Sequence, residues 1–131
     1  MLKLTKKGDY GLLLIKALAV TGDDHFQPLS KIAKNYKIPY KFLTQIALDL
    51  KRANIIESKE GVGGGYRLAK KPKEISIKDI IISLEGEISP TGCMQGKKCE
   101  RHSFCGHRDI ISHITQDFIK SLNSFTVAQM L

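Results

Sequence analysis

The chain has 131 residues, enough for one domain or for one domain with a dimerisation arm, and its 42% apolar content suits a globular core. No window holds the roughly 18 uninterrupted apolar residues of a membrane span. The opening Met1-Leu2-Lys3-Leu4-Thr5-Lys6 lacks a signal peptide's apolar run, so a cytoplasmic protein is expected. The formal charge of +8 is unevenly placed: residues 1–80 carry 16 Lys/Arg against 8 Asp/Glu, and residues 81–131 carry 5 against 5. A basic first part joined to a neutral second part points to a polyanion-binding module with a separate partner segment.

The apolar run from Tyr10 to Val20 is too long for a typical strand and ends at Gly22, which predicts a largely buried helix over 7–21. Leu29, Ile32, Ala33 and Tyr36 recur at spacings of three and four, so a short amphipathic helix is expected over 29–36. Lys37 and Ile38 then form a tight link. Pro39 suits the first position of a new helix, where its missing N–H loses no partner. Leu43, Ile46, Ala47 and Leu50 carry the core stripe of that helix.

Ile55 to Lys59 reads as a strand, Gly61-Val62-Gly63-Gly64-Gly65 as a turn, and Tyr66-Arg67-Leu68 as the returning strand. Ser76 with Asp79 three residues on opens a further helix that runs to Glu85 and stops at Gly86. Residues 86–104 show no apolar period, and such a long irregular loop is functional or disordered unless something orders it. A last helix is expected over 105–123, with Ile111, Ile114, Phe118 and Leu122 on one stripe and Ile110 and Ile119 widening it. Spanning roughly 28 Å, it leaves little chain to cover that stripe. A second copy of the protein would cover it.

The predicted fold is mainly α with a small β-hairpin wing: a winged helix-turn-helix over 1–80, then a cysteine loop and a long C-terminal dimerisation helix over 81–131. B-DNA's major groove admits one helix, and the second helix of the pair presents polar and basic side chains outward. Lys41, Thr44 and Gln45 approach base edges in this reading, with Tyr40 outward on the same DNA-binding face. Lys34, Lys37, Lys51, Arg52 and Lys59 meet phosphates, and Gly63 and Gly64 let the wing backbone approach DNA closely with Arg67 beside them. A nucleotide-binding loop would instead follow a strand and open a helix, whereas Tyr66-Arg67-Leu68 continues as strand. The other reading of the segment is a winged helix used for protein contacts.

Three cysteines fall within 13 residues, as Cys93-x5-Cys99-x5-Cys105. An odd count in a reducing compartment favours metal binding or thiol chemistry over disulfides. Structural zinc takes its closest ligands two to four residues apart, and five-residue gaps suit a larger object such as an iron–sulfur cluster. Lys97, Lys98 and Arg101 between the cysteines would offset the negative charge of a thiolate-ligated cluster. A fourth ligand must come from elsewhere: His107, His102, or an Asp9 reaching across a dimer. Each has an ordinary alternative, as a surface histidine or as an acidic residue in a helix's first turn. No third orienting group accompanies a cysteine and histidine as a catalytic set would require, so no enzyme activity and no small-molecule substrate are expected.

Taken together, Leu4-Thr5-x-x-x-Asp9-Tyr10, the helix-turn-helix, the wing Gly61-x-Gly63-Gly64-Gly65-Tyr66 and the three-cysteine loop resemble the Rrf-two family of bacterial regulators, the group of IscR and NsrR. The resemblance covers nearly the whole chain. It implies a homodimer joined through the C-terminal helices, bound to a pseudo-palindromic DNA operator, often as a repressor, with a 2Fe-2S or 4Fe-4S cluster responsive to iron–sulfur status, iron, redox state or nitric oxide. The metal ligands it implies are Cys93, Cys99 and Cys105 with Asp9 or His107. IscR-like members place a histidine three residues after the last cysteine, where this chain has Arg108, with His107 one residue earlier. NsrR-like members use an aspartate in the first helix of the other subunit, which Asp9 before Tyr10 matches. IscR-like members also carry a base-reading glutamate where Thr44 stands, and Glu60 replaces a basic residue common beside the wing. The alternative is a winged-helix regulator with a zinc or thiol-redox site in place of the cluster.

Overall fold

The computed structural model describes residues 3–131. Five helices and one hairpin follow in order: α1 (Lys6–Thr21), α2 (Leu29–Tyr36), α3 (Tyr40–Arg52), β1 (Ile56–Lys59), β2 (Gly65–Leu68), α4 (Ile77–Glu85) and α5 (Arg108–Ser124). The mainly helical class with one small hairpin is as predicted. Leu14, Ile15 and Leu18 of α1, Ile32 of α2 and Leu43, Ile46 and Leu50 of α3 are fully buried in one cluster. These are the residues at helical spacing, because an amphipathic helix can remove only one face from water.

Local chemistry sets the helix ends. The Thr5 hydroxyl accepts from the Gly8 amide at 3.2 Å, satisfying one of the free amides of α1's first turn. Lys37 closes α2 in the left-handed region at φ 55°, and the Ile38 amide donates back to the Ala33 carbonyl at 3.0 Å. Pro39 is the N-cap of α3 rather than its first helical residue: its ψ of 126° is extended while its carbonyl already accepts from Leu43 at 3.0 Å. Ser76 caps α4 by accepting from the Asp79 amide at 3.0 Å, and Gly86 ends it at φ 83°. The division at residue 80 falls inside α4, whose Ile80 and Leu84 both enter the core.

Three features depart from the predicted elements. Cys105 lies outside α5, which begins at Arg108 after the Gly106–His107 segment, so the last helix is shorter than the apolar period implied. The loop over 86–104 contains two short 3-10 turns, Gly92–Gln95 and His102–Phe104. The chain also returns to the core after α5: Val127 is fully buried, and its amide donates to the Ile75 carbonyl at 3.0 Å. Only Thr115 of α5 is buried, by contrast, while Ile110, Ile114 and Phe118 are 62%, 55% and 38% exposed. The stripe expected to need a cover is thus covered in part within the single chain, where Ile111, Ile119 and Leu122 are half-buried, and open at Ile110, Ile114 and Phe118.

Candidate functional site

The first candidate surface is built on α3 and the hairpin. Burial of Leu43, Ile46, Ala47 and Leu50 forces the opposite face of α3 outward, so Tyr40, Lys41, Gln45 and Lys51 are exposed and Thr44 is partly so. The Thr44 hydroxyl donates to the Lys41 carbonyl at 2.7 Å. Asp49, which sequence reading did not single out, anchors the helix: it pairs with Lys7 of α1 at 2.5 Å and lies 3.9 Å from Arg52. The Tyr10 and Phe42 rings meet edge to face at 5.6 Å, a second contact between α1 and α3.

In the hairpin, Ile56 pairs with Leu68, Glu57 with Arg67, Ser58 with Tyr66 and Lys59 with Gly65. The intervening turn closes with the Gly64 amide donating to the Gly61 carbonyl at 3.1 Å, and Gly61 and Gly63 take φ of 88° and 75° that only glycine adopts freely. Val62 is wholly exposed at the tip, and Lys59 is exposed beside it. Arg67 is not free at the surface. Its guanidinium donates to Glu57 at 2.5 Å and to the Asp23 carbonyl at 3.1 Å, and it lies 4.4 Å from the centre of the Phe26 ring. Sequence reading could not find these partners because Asp23 and Phe26 are distant in the chain.

The second candidate site lies in the loop between α4 and α5. Cys93, Cys99 and Cys105 line one open cavity of about 660 Å³, with Lys97, Lys98, Arg101 and His107 among its walls. All three cysteines are free thiols, Cys99 exposed and the others half-buried. Thr91 Oγ1 stands 3.1 Å from Cys93 Sγ, and the nearer edge of the His107 ring is 3.8 Å from Cys105 Sγ. His102 contacts the Arg108 guanidinium instead of a thiol. Asp9 is exposed on α1 in a different hollow, beside Lys3, Thr5 and Lys6. Of the three candidate fourth ligands, the fold brings His107 to the cysteines of the same chain, turns His102 to Arg108 and leaves Asp9 apart from them.

Zinc requires sulfurs about 2.3 Å from one point, and among the described residues no three His, Cys, Asp or Glu side chains converge closely enough to hold a single ion. Three thiols round one cavity, with Lys97, Lys98 and Arg101 and one acidic residue, Glu100, on its walls, are donors of the type that holds iron–sulfur clusters.

Comparison with known proteins gives the family. A family model described as Rrf2, iron-dependent transcriptional regulator, matches residues 4–131. The chain is 30% identical over 131 residues to protein rrf2 of Nitratidesulfovibrio vulgaris, covering 99% of this chain and 87% of that one. It is 32% identical over 120 residues to the HTH-type transcriptional regulator IscR of Aliivibrio salmonicida, covering 87% and 70%. Among solved structures it is similar to CymR, the global cysteine regulator of B. subtilis, with a TM-score of 0.80, 30% identity, and 99% and 96% of the two chains covered.

Proposed function

The chain belongs to the Rrf2 family of transcriptional regulators, and from that premise we propose that it is a homodimer whose Cys93, Cys99 and Cys105 hold an iron–sulfur cluster that sets its affinity for operator DNA. It is a DNA-binding regulator and not an enzyme, as its homologues are. The single observation that carries the cluster reading is that all three thiols line one cavity, whose walls carry Lys97, Lys98 and Arg101 against one acidic residue, Glu100. When bound, a cluster supplies a centre that iron supply, oxidants or nitric oxide can remove or alter.

The chain's own residues do the rest. Lys97, Lys98 and Arg101 offset negative charge at the thiolates, and the Thr91 hydroxyl donates toward Cys93 once that thiol is ionised. The fourth ligand is His107 from the same cavity or Asp9 of the partner subunit, which would place each cluster between one cysteine loop and the partner's α1. Residues 1–80 then form the DNA-reading part and 81–131 the sensing and dimerising part. The exposed stripe of Ile110, Ile114 and Phe118 on α5 supports a self-complementary interface. Tyr40, Lys41, Thr44 and Gln45 address base edges, and Lys51, Lys59 and the Gly63–Gly64 backbone address phosphates.

A movement of the cysteine loop acts on α3 through α1, because Lys7–Asp49 and Tyr10–Phe42 hold those helices together. Half-sites lie about 34–36 Å apart, so a small pivot between the two recognition helices reduces specific affinity steeply. The likeness to a cysteine regulator favours a second reading, in which the same three thiols respond directly to oxidants without iron. Anaerobic purification after iron and sulfide loading separates the two. A brown protein with visible absorbance that Cys99→Ala abolishes supports the cluster; a colourless protein whose DNA binding changes with thiol oxidation supports the second reading.

A further inference from the structure

Sequence pattern places Arg67 among the DNA-contacting residues of the wing, but its surroundings give it another task. We propose that Arg67 is a positioning residue that fixes the wing onto the turn between α1 and α2, and that it makes no phosphate contact of its own. Three partners from two segments hold its guanidinium. Glu57, its cross-strand partner on β1, accepts from Nε at 2.5 Å; the Asp23 carbonyl accepts from a terminal nitrogen at 3.1 Å; and the Phe26 ring lies under the guanidinium at 4.4 Å. Opposite charges directly across a strand pair stabilise its register, and an arginine's planar fork suits simultaneous pairing and stacking.

The backbone beside Arg67 joins the same two segments. The Gln27 amide donates to the Tyr66 carbonyl and the Tyr66 amide to the Gln27 carbonyl, both at 2.8 Å, making a bridge on the side of β2 away from β1. Gly65, at φ 140°, lets the chain pass so close to the Gln27 backbone that a side chain there would collide with it. A two-stranded hairpin alone is marginal in water, so its direction must be set from outside. Phe26, Asp23 and Gln27 set it, and Arg67 is the side chain that grips two of them. Its charge is already matched by Glu57, whereas Lys59, whose ammonium lies 5.9 Å from the centre of the same Phe26 ring, is exposed and without a carboxylate across the strand pair, and is a cation the wing presents to a polyanion.

The proposal rests on the family's DNA binding but not on any cluster, and one arm of its test needs neither. Amide hydrogen exchange at Gln27 and Tyr66 is measured in DNA-free wild-type protein, Arg67→Ala, Arg67→Lys and Phe26→Leu. Binding of the same proteins to a mixed-sequence DNA duplex is then followed by anisotropy between about 50 and 200 mM salt. All three variants are expected to exchange roughly tenfold faster at those amides. They should bind DNA several-fold more weakly at every salt concentration with the salt slope unchanged, and Arg67→Lys should do no better than Arg67→Ala. Unchanged exchange in Arg67→Ala overturns the proposal. So does a slope reduced by about one, the signature of a lost phosphate contact, or full recovery of affinity in Arg67→Lys. Phe26→Leu removes no charge and keeps the test open if Arg67→Ala does not fold.

Discussion

The Thr5 amide donates to Glu85 Oε1 at 3.0 Å, and the Thr5 hydroxyl donates to the same oxygen, so the last residue of α4 closes the first turn of α1. Gly8 lies against that carboxylate so closely that a methyl group there would run into it. A carboxylate at a helix N-terminus satisfies free amides and complements the helix dipole. Glu85 is also the residue before Gly86, where the cysteine loop departs. The loop is thereby tied to α1, and α1 to α3 through Lys7–Asp49.

Replacing Glu85 with Ala should lower stability by about 1 kcal/mol, the range of a lost N-cap at an exposed position. Denaturant unfolding would show a lower midpoint with an unchanged m-value. The same variant should weaken the effect of cysteine-loop chemistry on DNA affinity while leaving iron loading intact.

How much of this was legible from sequence depended on whether the cause was local. Leu29, Ile32 and Ala33, and Leu43, Ile46, Ala47 and Leu50, recur at helical spacing, and they are the residues that α2 and α3 bury, whereas Tyr36, which continues the α2 period, is exposed at the helix end. Ser76 and Gly86 likewise marked the ends of α4 by backbone chemistry alone. The bridge from Gln27 to Tyr66, the capture of Arg67 by Phe26, and the return of Val127 to the core depend on contacts between distant segments, which no local period encodes. At the cysteine loop, spacing identified the three thiols, but Thr91 beside Cys93 and the displacement of His102 toward Arg108 follow from loop conformation.

On the DNA face, Lys51 and Gln45 should separate by kind of effect. Both are exposed on α3. Lys51→Ala should weaken binding to every sequence and reduce the salt slope by about one. Gln45→Ala should leave the slope unchanged and relax preference at one operator position by about 1–3 kcal/mol. Salt titrations against a selected operator and a scrambled duplex measure both.

The α5 stripe predicts the state of assembly. Ile114 is 55% exposed in the single chain, so Ile114→Glu should leave the fold intact. If a second copy covers the stripe, the charge is buried there and the variant becomes monomeric in sedimentation and loses operator binding. A dimer unaffected by this substitution would move the interface elsewhere.

The central claim is that Cys93, Cys99 and Cys105 hold a cluster whose presence sets DNA affinity, and the most direct measurement is an anaerobic titration of selected operator DNA. It compares iron- and sulfide-loaded protein, the same protein after iron removal, and Cys99→Ala, with iron and sulfide assayed in each. Visible absorbance and matched iron and sulfide are expected only in the loaded wild-type protein. Its operator affinity should differ by at least tenfold from that of the other two, and those two should agree with each other. Equal affinity in all three, or iron and sulfide retained in Cys99→Ala, would contradict it.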